Sequence, residues 1–444
     1  MSIADRKKDV LLVTGPRAPW VSPASFEVSE NSCPPLGVLY VAQFLELNGI
    51  SVVVEDFYRY GKKPSDILPI IDRNKARILG VSTNTGGYPY ALSLCRFAKK
   101  QHPEIITIMG GIHPSVRPHE TLSDDAIDFV VIGEGEETSV ELVSALLDKS
   151  INKDKIMNIK GIGFKNSGAI IVNQARSPMD IDSIPFPGRH FIQLPDYLQM
   201  GALMASRGCP HKCYYCSSVA MSSHKYRYRS PQRILEEMNL LNSLYKIVDF
   251  EFLDDDLTGD SEKMHELCSR LATSKFRWGC QSALKDLVAA PDLISKMIDS
   301  GCASIFFGVE TGNEKMLKKI KSISRNDVIN MMKYLRQRKV HVSASFMIGH
   351  PSDSKETIKD TIDMLFHLRD LGCHTPVSLL VPFPGSALAK SPDKYGVQIE
   401  TENYRFYYHN QAVMKTENFS RKELETIYFD ILYRISCENN EKET

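Results

Sequence analysis

Short, continuously apolar runs alternate with amphipathic stretches over the first 150 residues. The runs are DVLLVTG (9–15), SVVVEDF (51–57), RILGVST (77–83), ITIMGG (106–111) and DFVVIGE (128–134). Such runs, rich in β-branched residues, are typical of strands buried on both faces of a parallel sheet. The segments between them have helical periodicity. We therefore predict a doubly wound, Rossmann-like α/β domain over residues 1–150.

The same alternation returns with longer units between residues 201 and 390. The strand-like runs there are GALMASRG (201–208), VDFEFLDDD (248–256), FRWGCQ (276–281), SIFFGVE (304–310), VSASFMIG (342–349) and VSLLVPFPG (377–385). Ser230 before Pro231 predicts a helix start, and Gly301 and Gly372 predict helix ends. Six strand–helix units predict a full or partial TIM-type (β/α) barrel, whose chemistry would lie at the carboxyl ends of its strands.

Two segments fall outside these alternating regions. Residues 151–200 contain two alternating runs around KNSG, a hairpin signal, and then the Pro-rich stretch SPMDIDSIPFPGRH, so we predict a connector. Residues 391–444 are first aromatic and then helical in pattern, so we predict a C-terminal cap. Tyr407 and Tyr408 in this cap are candidates for lining a substrate mouth, with packing at the end of the barrel as the alternative.

The amino-acid composition limits the kinds of partner that the protein is expected to bind. The 444 residues carry 54 Lys and Arg against 54 Asp and Glu, so the net charge is zero. This balance argues against nucleic acid or an anionic membrane surface as a partner. No apolar stretch approaches the roughly 20 residues of a membrane span. Ten irregularly spaced cysteines and no signal-peptide pattern predict a cytoplasmic protein with mostly free thiols.

One group of cysteines breaks that irregularity. Cys209, Cys213 and Cys216 form a C-x-x-x-C-x-x-C frame directly after the first barrel strand. Structural zinc usually needs four ligands; the next cysteine, Cys268, lies far along the chain in a helical stretch, so only His211 or His224 could complete a zinc shell. The alternative is a [4Fe–4S] cluster held by three thiolates, which leaves one iron open to a small molecule.

The cysteine frame, with Tyr215 before its last cysteine, resembles that of the radical S-adenosylmethionine (SAM) superfamily. The resemblance implies that SAM chelates the open iron and that its reductive cleavage yields a 5′-deoxyadenosyl radical. It also implies an external electron donor such as a flavodoxin or ferredoxin.

Downstream segments carry the same resemblance. The segments at the ends of the second, fourth, fifth and sixth strands resemble those that carry polar SAM contacts and run along the adenine in that superfamily: EFLDDDLTGD, FFGVETGNEKMLKKIKS, FMIGHPSDSKET and VPFPGSAL. The SAM contacts that the resemblance implies are Tyr215, Asp254, Asp255, Glu310, Ser345, Ile348 and Gly349. For the acidic trio 254–256 a solvated turn or a divalent-cation site is the alternative. Glu310 ends an apolar strand, where an unpaired carboxylate would be costly. CQSALKD, after the third strand, lacks the Arg that relatives often have.

The first domain has polar, Gly-rich loops after its third, fourth and fifth strands, which favours a large polar ligand over ordinary turns. CPPLGVLYVAQFLELNG, MGGIHPSVRPHETL and DFVVIGEGEET resemble the cobalamin-binding domain of cobalamin-dependent radical SAM enzymes. The candidate cobalamin contacts are Gly15, Pro35, Ser82, Thr83, Asn84, Gly86, Gly110, Gly111, His113, Gly133, Glu134, Gly135 and Glu136. The D-x-H-x-x-G motif that supplies a lower axial ligand elsewhere is missing. His113 is the nearest candidate for that ligand, with an ordinary loop histidine as the alternative.

The resemblance implies a cobalamin-dependent radical SAM enzyme, foremost a methyltransferase acting on an unactivated carbon of a small-molecule substrate. A ring-forming or rearranging enzyme with the same cofactors is one alternative, and a radical SAM enzyme whose first domain does not bind cobalamin is another. A methylthiotransferase would need three more cysteines early in the chain, where only Cys33 and Cys95 occur. A zinc-organised binding protein is the non-enzymatic alternative.

Overall fold

The structure is a computed structural model that describes residues 7–16, 33–148, 153–222 and 225–443. The chain divides into two compact units. Unit 1 contains residues 1–200 and 220–222, and unit 2 contains residues 201–219 and 223–444. His224, one of the zinc candidates, lies outside the described residues.

Unit 1 is built on a seven-stranded sheet in the order β2-β1-β3-β4-β5-β6-β7. Its strands are β1 Val10–Thr14, β2 Val52–Asp56, β3 Ile78–Ser82, β4 Ile106–Gly110, β5 Phe129–Val131, β6 Ile162–Asn166 and β7 Ala169–Val172. The first five are parallel, and a hairpin of β6 and β7 adds two antiparallel strands at the edge. The helices are α1 Leu36–Leu47, α2 Ile67–Asn74, α3 Tyr88–Gln101, α4 Ile112–Val116, α5 Pro118–Leu122, α6 Glu136–Leu147 and α7 Lys153–Met157.

The core of unit 1 explains the continuous apolar runs. Strand residues such as Val10 and Ile78 are buried together with Leu39 and Leu45 of α1 and Leu142 of α6. A parallel sheet covered by helices buries successive residues of a strand on both faces, so the runs are apolar throughout.

Unit 2 contains a six-stranded, all-parallel sheet in the sequential order β15-β14-β13-β12-β11-β8. The unit's strands are β8 Ala202–Leu203, β9 Ser206–Arg207, β10 Arg227–Tyr228, β11 Asp249–Phe252, β12 Arg277–Ser282, β13 Cys302–Glu310, β14 His341–Ile348, β15 Val377–Leu379, β16 Val397–Ile399 and β17 Met414–Thr416. The helices are α9 Pro231–Tyr245, α10 Ser261–Leu271, α11 Leu284–Ala289, α12 Pro291–Asp299, α13 Glu314–Lys321, α14 Arg325–Gln337, α15 Lys355–Asp370, α16 Ala387–Lys390 and α17 Arg421–Glu443, preceded by α8 Ser218–Ser222, whose last three residues are assigned to unit 1. The first and last strands do not pair, so the barrel is partial.

Local signals set the helix boundaries as predicted. The Ser230 side chain accepts a hydrogen bond from the backbone N–H of Arg233 at the start of α9. Gly301 and Gly372 follow α12 and α15 with φ of 100° and 82°. These left-handed conformations suit glycine, which has no Cβ to clash with the backbone.

The first predicted barrel strand differs from expectation because only Ala202–Leu203 joins the sheet. The chain then leaves it, and Ser206–Arg207 pairs antiparallel with Arg227–Tyr228. This departure turns the backbone toward the cysteine frame. The Rossmann-like domain and the partial barrel of the predicted fold class are both present.

The C-terminal segment supports the cysteine loop from within unit 2. Strands β16 and β17, which the sequence analysis did not predict, form a short hairpin. Buried Leu388, Val397 and Met414 pack against Tyr214 and Tyr215, the residues before the last cysteine. Residues 388–414 therefore help to hold the cysteine loop in place.

In the part of the chain that the structure describes, no helix has the length and apolar character to cross a membrane.

Candidate functional site

The three cysteines of the frame lie in the loop between β9 and α8, at the carboxyl end of the partial barrel. A turn brings Cys213 and Cys216 together, since the N–H of Cys216 donates to the carbonyl of Cys213 at 3.1 Å. Burial raises the pKa of the Cys209 thiol to about 12 and also raises that of Cys216, and nearby Cys213 adds to both shifts. Since thiolates are the metal-binding form, a bound positive centre would have to drive their deprotonation.

Asp254 fixes the strand that leads into this loop. Its Oδ2 accepts from the N–H of Ala205 at 3.1 Å, and its Oδ1 accepts from the N–H and the hydroxyl of Ser206. The carboxylate is 1% exposed, and burial raises its pKa to about 6. The resemblance implied a SAM contact for Asp254, but its oxygens already accept hydrogen bonds from the protein, so the geometry gives it a positioning role.

Inside the cysteine frame, His211 lies between two carboxylates. Its Nε2 is 2.6 Å from Oδ2 of Asp256 and 3.1 Å from Oδ2 of Asp286. Hydrogen bonds to Asp256 and then to Asp286 raise the His211 pKa to about 9. These contacts anchor the first half of the loop to the end of β11 and to α11.

Glu310, Lys321 and Tyr215 form a second polar group beside the cysteines. Lys321 Nζ lies 3.1 Å from Glu310 Oε1, and the Tyr215 hydroxyl donates to the same oxygen at 3.4 Å. Burial opposes the charge on Lys321, but Glu310 and then Cys213 outweigh it and raise the Lys321 pKa. The ammonium is thus held charged near the thiols.

The backbone at Glu310 is strained to make this pairing. Glu310 has φ of 69°, and the register with β14 shifts between Gly308 and Glu310. A Cβ at Gly308 would lie 2.4 Å from Glu310 Oε1 and 3.1 Å from Lys321 Nζ, so a larger residue there would displace the ends of these two side chains from their present positions. Left-handed backbone at a non-glycine residue is costly and is concentrated at functional sites, which makes Glu310 a strong site candidate.

Tyr214 and His350 connect the cysteine loop to the end of β14. The Tyr214 hydroxyl lies 2.6 Å from His350 Nδ1, and the Tyr214 ring stacks on Tyr395. Asp353 Oδ2 accepts from the N–H groups of Gly349 and His350 at 2.9 and 2.8 Å. Burial lowers the His350 pKa, so its imidazole is neutral.

The structure places the other predicted SAM contacts in different surroundings. Asp255 is exposed, and its Oδ1 accepts from the Ser218 hydroxyl at 3.2 Å, beside the last cysteine. On β14, Ser345 is half-buried on the face opposite buried Ile348, so one strand does not present both side chains to the same ligand. Gly349 follows with φ of 89°.

Tyr407 and Tyr408 are placed in the packed interior. They are 4% and 8% exposed, and the Tyr407 hydroxyl donates to the Thr401 carbonyl at 3.0 Å. Their burial favours the packing alternative, because a side chain that lines a substrate mouth would be more accessible.

In unit 1 the candidate cobalamin contacts gather at the carboxyl edge of the parallel sheet. The N–H of Gly15 donates to the Ser82 carbonyl at 2.7 Å, and the N–H of Thr83 donates to the Gly110 carbonyl at 3.0 Å. Gly86 follows in the loop after β3, and exposed Asn84 accepts there from the N–H of Gly87 at 2.8 Å. The loops after β1, β3 and β4 are thereby tied together.

Gly111 shows how closely these backbones approach. Its φ is 96°, and a Cβ would lie 2.5 Å from the Thr83 carbonyl oxygen and 2.8 Å from its nitrogen. Gly133, in the loop after β5, has φ of 79° and open space around a hypothetical Cβ. The Ser115 hydroxyl donates to the Gly111 carbonyl and accepts from the Gly133 N–H, which joins the two loops.

The remaining candidates flank helix starts. Pro35 directly precedes α1, while Gly135 directly precedes α6 and Glu136 is its first residue, with Glu134 just before them. Glu136 is buried and Glu134 is half-buried.

His113 is buried at the start of α4. Its ring stacks on Tyr88 with centroids 4.1 Å apart, and Nδ1 lies 3.4 Å from the Thr85 hydroxyl. Burial lowers the His113 pKa to about 3, so the imidazole is neutral. The role of His113 as a cobalt ligand stays a prediction.

Sequence reasoning missed several roles in the cysteine site: His211 as an anchor, Asp256 as its partner, and any role for Lys321, Tyr214 and His350. His211 and Tyr214 lie within the cysteine frame, so the sequence alone predicts that they lie close to the cysteines. The position of Lys321 was not predictable in this way, because it ends α13 eleven residues after Glu310 and only the strained turn between them brings the two together.

The residues present fit the cofactors that the resemblance implies. Three thiols in one loop, with no fourth cysteine between residues 201 and 219, suit a cluster with one open iron. The Glu310–Lys321 pair beside them offers both signs of charge to a zwitterion such as SAM. The glycine-lined edge of unit 1 allows a large polar ligand to approach backbone N–H groups.

Comparison with known proteins agrees with this geometry. The B12 binding domain model matches residues 25–143, and the Radical SAM superfamily model matches residues 203–365. An uncharacterized methyltransferase of Pyrococcus horikoshii is 28% identical over 402 residues, covering 88% of this chain and 85% of the relative. The cytidylyl-2-hydroxyethylphosphonate methyltransferase of Streptomyces wedmorensis is 25% identical over 434 residues, covering 84% and 80%. The anaerobic magnesium-protoporphyrin IX monomethyl ester cyclase of Rubrivivax gelatinosus is 24% identical over 406 residues, covering 88% and 71%.

Solved structures share the fold. The radical SAM methyltransferase TsrM from Kitasatospora setae, with cobalamin and a [4Fe–4S] cluster bound, superposes with a TM-score of 0.69 at 15% identity, covering 95% of this chain and 84% of TsrM. The cobalamin-dependent SAM radical enzyme OxsB superposes with a TM-score of 0.72 at 15% identity, covering 93% of this chain and 65% of OxsB. With a B12 binding domain followed by a radical SAM domain that carries the three-cysteine loop, this chain belongs to the cobalamin-dependent radical SAM enzymes.

Proposed function

We propose that this enzyme is a methyltransferase that adds a methyl group to an unactivated carbon of a small-molecule substrate. The observation that carries the proposal is that one chain combines two features. One is a loop of three cysteines that leaves one iron of a cluster open, and the other is a B12 binding domain with glycines at the carboxyl edge of its sheet. Relatives named as methyltransferases, matching over more than four fifths of this chain, support it. When bound, the cluster and SAM supply a 5′-deoxyadenosyl radical that removes a hydrogen atom from carbon, and methylcobalamin supplies the methyl group.

The described residues beside the thiols would hold and position those groups. Cys209, Cys213 and Cys216 would hold the cluster, while Asp254 holds the preceding strand in place. Lys321 would face an anionic group of SAM and Glu310 a polar or cationic one, because each presents a fixed charge beside the thiols. Tyr215, within the cysteine loop, contacts both members of the pair through its hydroxyl and its ring and so fixes the loop against them.

Ring formation or rearrangement is the competing function, and a cyclase among the relatives favours it. The two functions would differ in whether SAM is also consumed as a methyl donor. A methyltransferase forms S-adenosylhomocysteine in addition to 5′-deoxyadenosine, whereas a cyclase forms 5′-deoxyadenosine without S-adenosylhomocysteine.

The first experiment tests the cofactors. The chain is reconstituted anaerobically with iron and sulfide, incubated with hydroxocobalamin and desalted. We expect retained corrinoid absorption over a broad iron–sulfur shoulder. Cys213→Ala should lose the shoulder and keep the corrinoid, while Cys437→Ala, which removes a half-buried cysteine on α17, should keep both. A shoulder without corrinoid in the parent protein would contradict the cobalamin assignment.

The second experiment tests methyl transfer without a known substrate. The loaded enzyme is incubated with SAM and a low-potential chemical reductant such as titanium(III) citrate, which takes the place of the external electron donor. We expect S-adenosylhomocysteine in proportion to bound cobalamin. If 5′-deoxyadenosine forms and S-adenosylhomocysteine does not, the cyclase alternative is the better one.

A further inference from the structure

A second metal-binding set overlaps the cluster loop. One ligand atom each from Cys209, His211 and Asp256 lies within 4.8 Å of the others. Asp286 lies outside this set; its Oδ2 is 3.1 Å from His211 Nε2, and its side chain would have to move to serve as a fourth ligand. A thiolate, an imidazole and two carboxylates are a ligand set that suits zinc.

The spacing of the imidazole and the two carboxylates is close to what a four-coordinate ion needs, and the Cys209 thiol lies within 4.8 Å of His211 and Asp256. His211 Nε2 lies 2.6 Å from Asp256 Oδ2 and 3.1 Å from Asp286 Oδ2. In a regular tetrahedron with bonds of about 2.0 Å, neighbouring ligand atoms are about 3.3 Å apart. The two carboxylates would need only small outward shifts to share an ion with the imidazole.

The surroundings hold Asp256 in a ligating orientation. Its Oδ1 accepts from the N–H of Thr258 at 3.1 Å, the hydroxyl of Thr258 at 3.0 Å and the N–H of Ala283 at 3.2 Å. The side chain is 1% exposed. Three donors on Oδ1 leave Oδ2 directed at His211, the arrangement by which outer hydrogen bonds orient a metal-binding carboxylate.

We infer that the chain without its cluster binds one zinc ion through Cys209, His211, Asp256 and Asp286. Binding releases the protons of the Cys209 thiol and of His211 Nε2 and leaves Cys213 and Cys216 free. Because zinc at Cys209 would occupy a thiolate that the cluster needs as a terminal ligand, zinc and the cluster compete for this site. Zinc therefore blocks cluster assembly on a chain that has not yet received iron.

The test uses the full-length, cluster-free chain and cobalt(II) as an optical probe for zinc. We expect one cobalt per chain, with the visible bands of tetrahedral cobalt and a thiolate-to-cobalt charge-transfer band, all removed by added zinc. Asp286→Asn and His211→Ala should weaken cobalt binding about tenfold or more. Cys209→Ser should abolish the charge-transfer band.

Two controls separate this site from the cluster ligands and from general effects. Cys216→Ser removes a cluster ligand and should leave cobalt binding unchanged. Asp292→Asn disrupts a similar pair on the same unit, His265 Nε2 to Asp292 Oδ2 at 3.0 Å, and should also have no effect. If Cys216→Ser abolishes the spectrum while Asp286→Asn preserves it, the ion is held by the cluster cysteines and the inference fails.

A second measurement tests exclusion directly. Chain preloaded with zinc should take up no iron and sulfide until the zinc is chelated. Equal iron uptake with and without zinc would overturn the overlap of the two sites. Neither measurement uses SAM, cobalamin or a substrate, so its failure is independent of the proposed methyl transfer.

Discussion

Removal of the Lys321 ammonium is the most direct test of the polar group beside the cysteines. Lys321 and Glu310 are paired at 3.1 Å with side chains only 19% and 10% exposed. Lys321→Met preserves the length and apolar stem of the side chain and leaves the Glu310 carboxylate buried without its counter-charge. Loss of one partner from a buried pair costs about 3–5 kcal/mol, because the remaining charge is desolvated and uncompensated.

The same helix supplies a matched control. Lys318 and Glu314 lie at 2.9 Å, but their side chains are 66% and 41% exposed. Solvent screens such a pair, so Lys318→Met should destabilise the protein far less than Lys321→Met. Because some exposure remains at Lys321, we expect a loss near 3 kcal/mol there. For a unit of this size that corresponds to a fall in the melting temperature of about 6–12 °C.

The measurement is urea and thermal unfolding of the three proteins, monitored by circular dichroism at constant pH and salt. The double variant Glu310→Gln with Lys321→Met should recover part of the loss, because no buried charge remains. Equal destabilisation by Lys321→Met and Lys318→Met would show that the buried pair contributes no more than a surface pair, and would refute the reasoning.

Three further predictions concern other parts of the two units. Burial raises the pKa of Glu251 to about 7, above its ordinary value. The stability that Glu251 contributes is therefore full at low pH and is lost as pH rises through 7, where the buried carboxyl ionises. Glu251→Gln should remove this pH dependence and, in urea unfolding at pH 8, stabilise the protein by up to about 3 kcal/mol. Gly111→Ala should abolish corrinoid retention because its Cβ would meet the Thr83 backbone at 2.5 Å, whereas Gly37→Ala, with open space inside α1, should retain it. Asp254→Asn should speed iron release from the reconstituted cluster to a chelator, and an unchanged rate would show that the loop does not depend on this carboxylate.

Much of the architecture was predictable because it depends on local pattern. Continuous apolar runs predicted the parallel strands of unit 1, and the Ser230–Pro231 start and the two glycine stops predicted helix ends. The cysteine frame could be recognised for the same reason, since the spacing of its three cysteines within one loop is a property of the sequence. The short strands β16 and β17 were missed because three-residue strands have no measurable periodicity.

Roles within the site were less predictable. Asp254 and Asp255 are neighbours in sequence, yet one is buried beneath backbone donors and the other is exposed. Tyr407 and Tyr408 were candidates for a substrate mouth, but they are buried in unit 2. Whether a polar residue at a strand end contacts a ligand or the protein backbone depends on which neighbouring segments the fold brings within hydrogen-bond distance of it.

The sequence by itself determined the two-part α/β architecture, the three cysteines and the resemblance to cobalamin-dependent radical SAM enzymes, because local periodicity and fixed motif spacing are written along the chain. Only the tertiary structure decided that Lys321 faces Glu310, that His211 lies between Asp256 and Asp286, and that Gly111 abuts Thr83. Each of these contacts joins residues from different elements. Their distances depend on the strained turn at Glu310 and on the order of strands in the sheet, which no short stretch of sequence specifies.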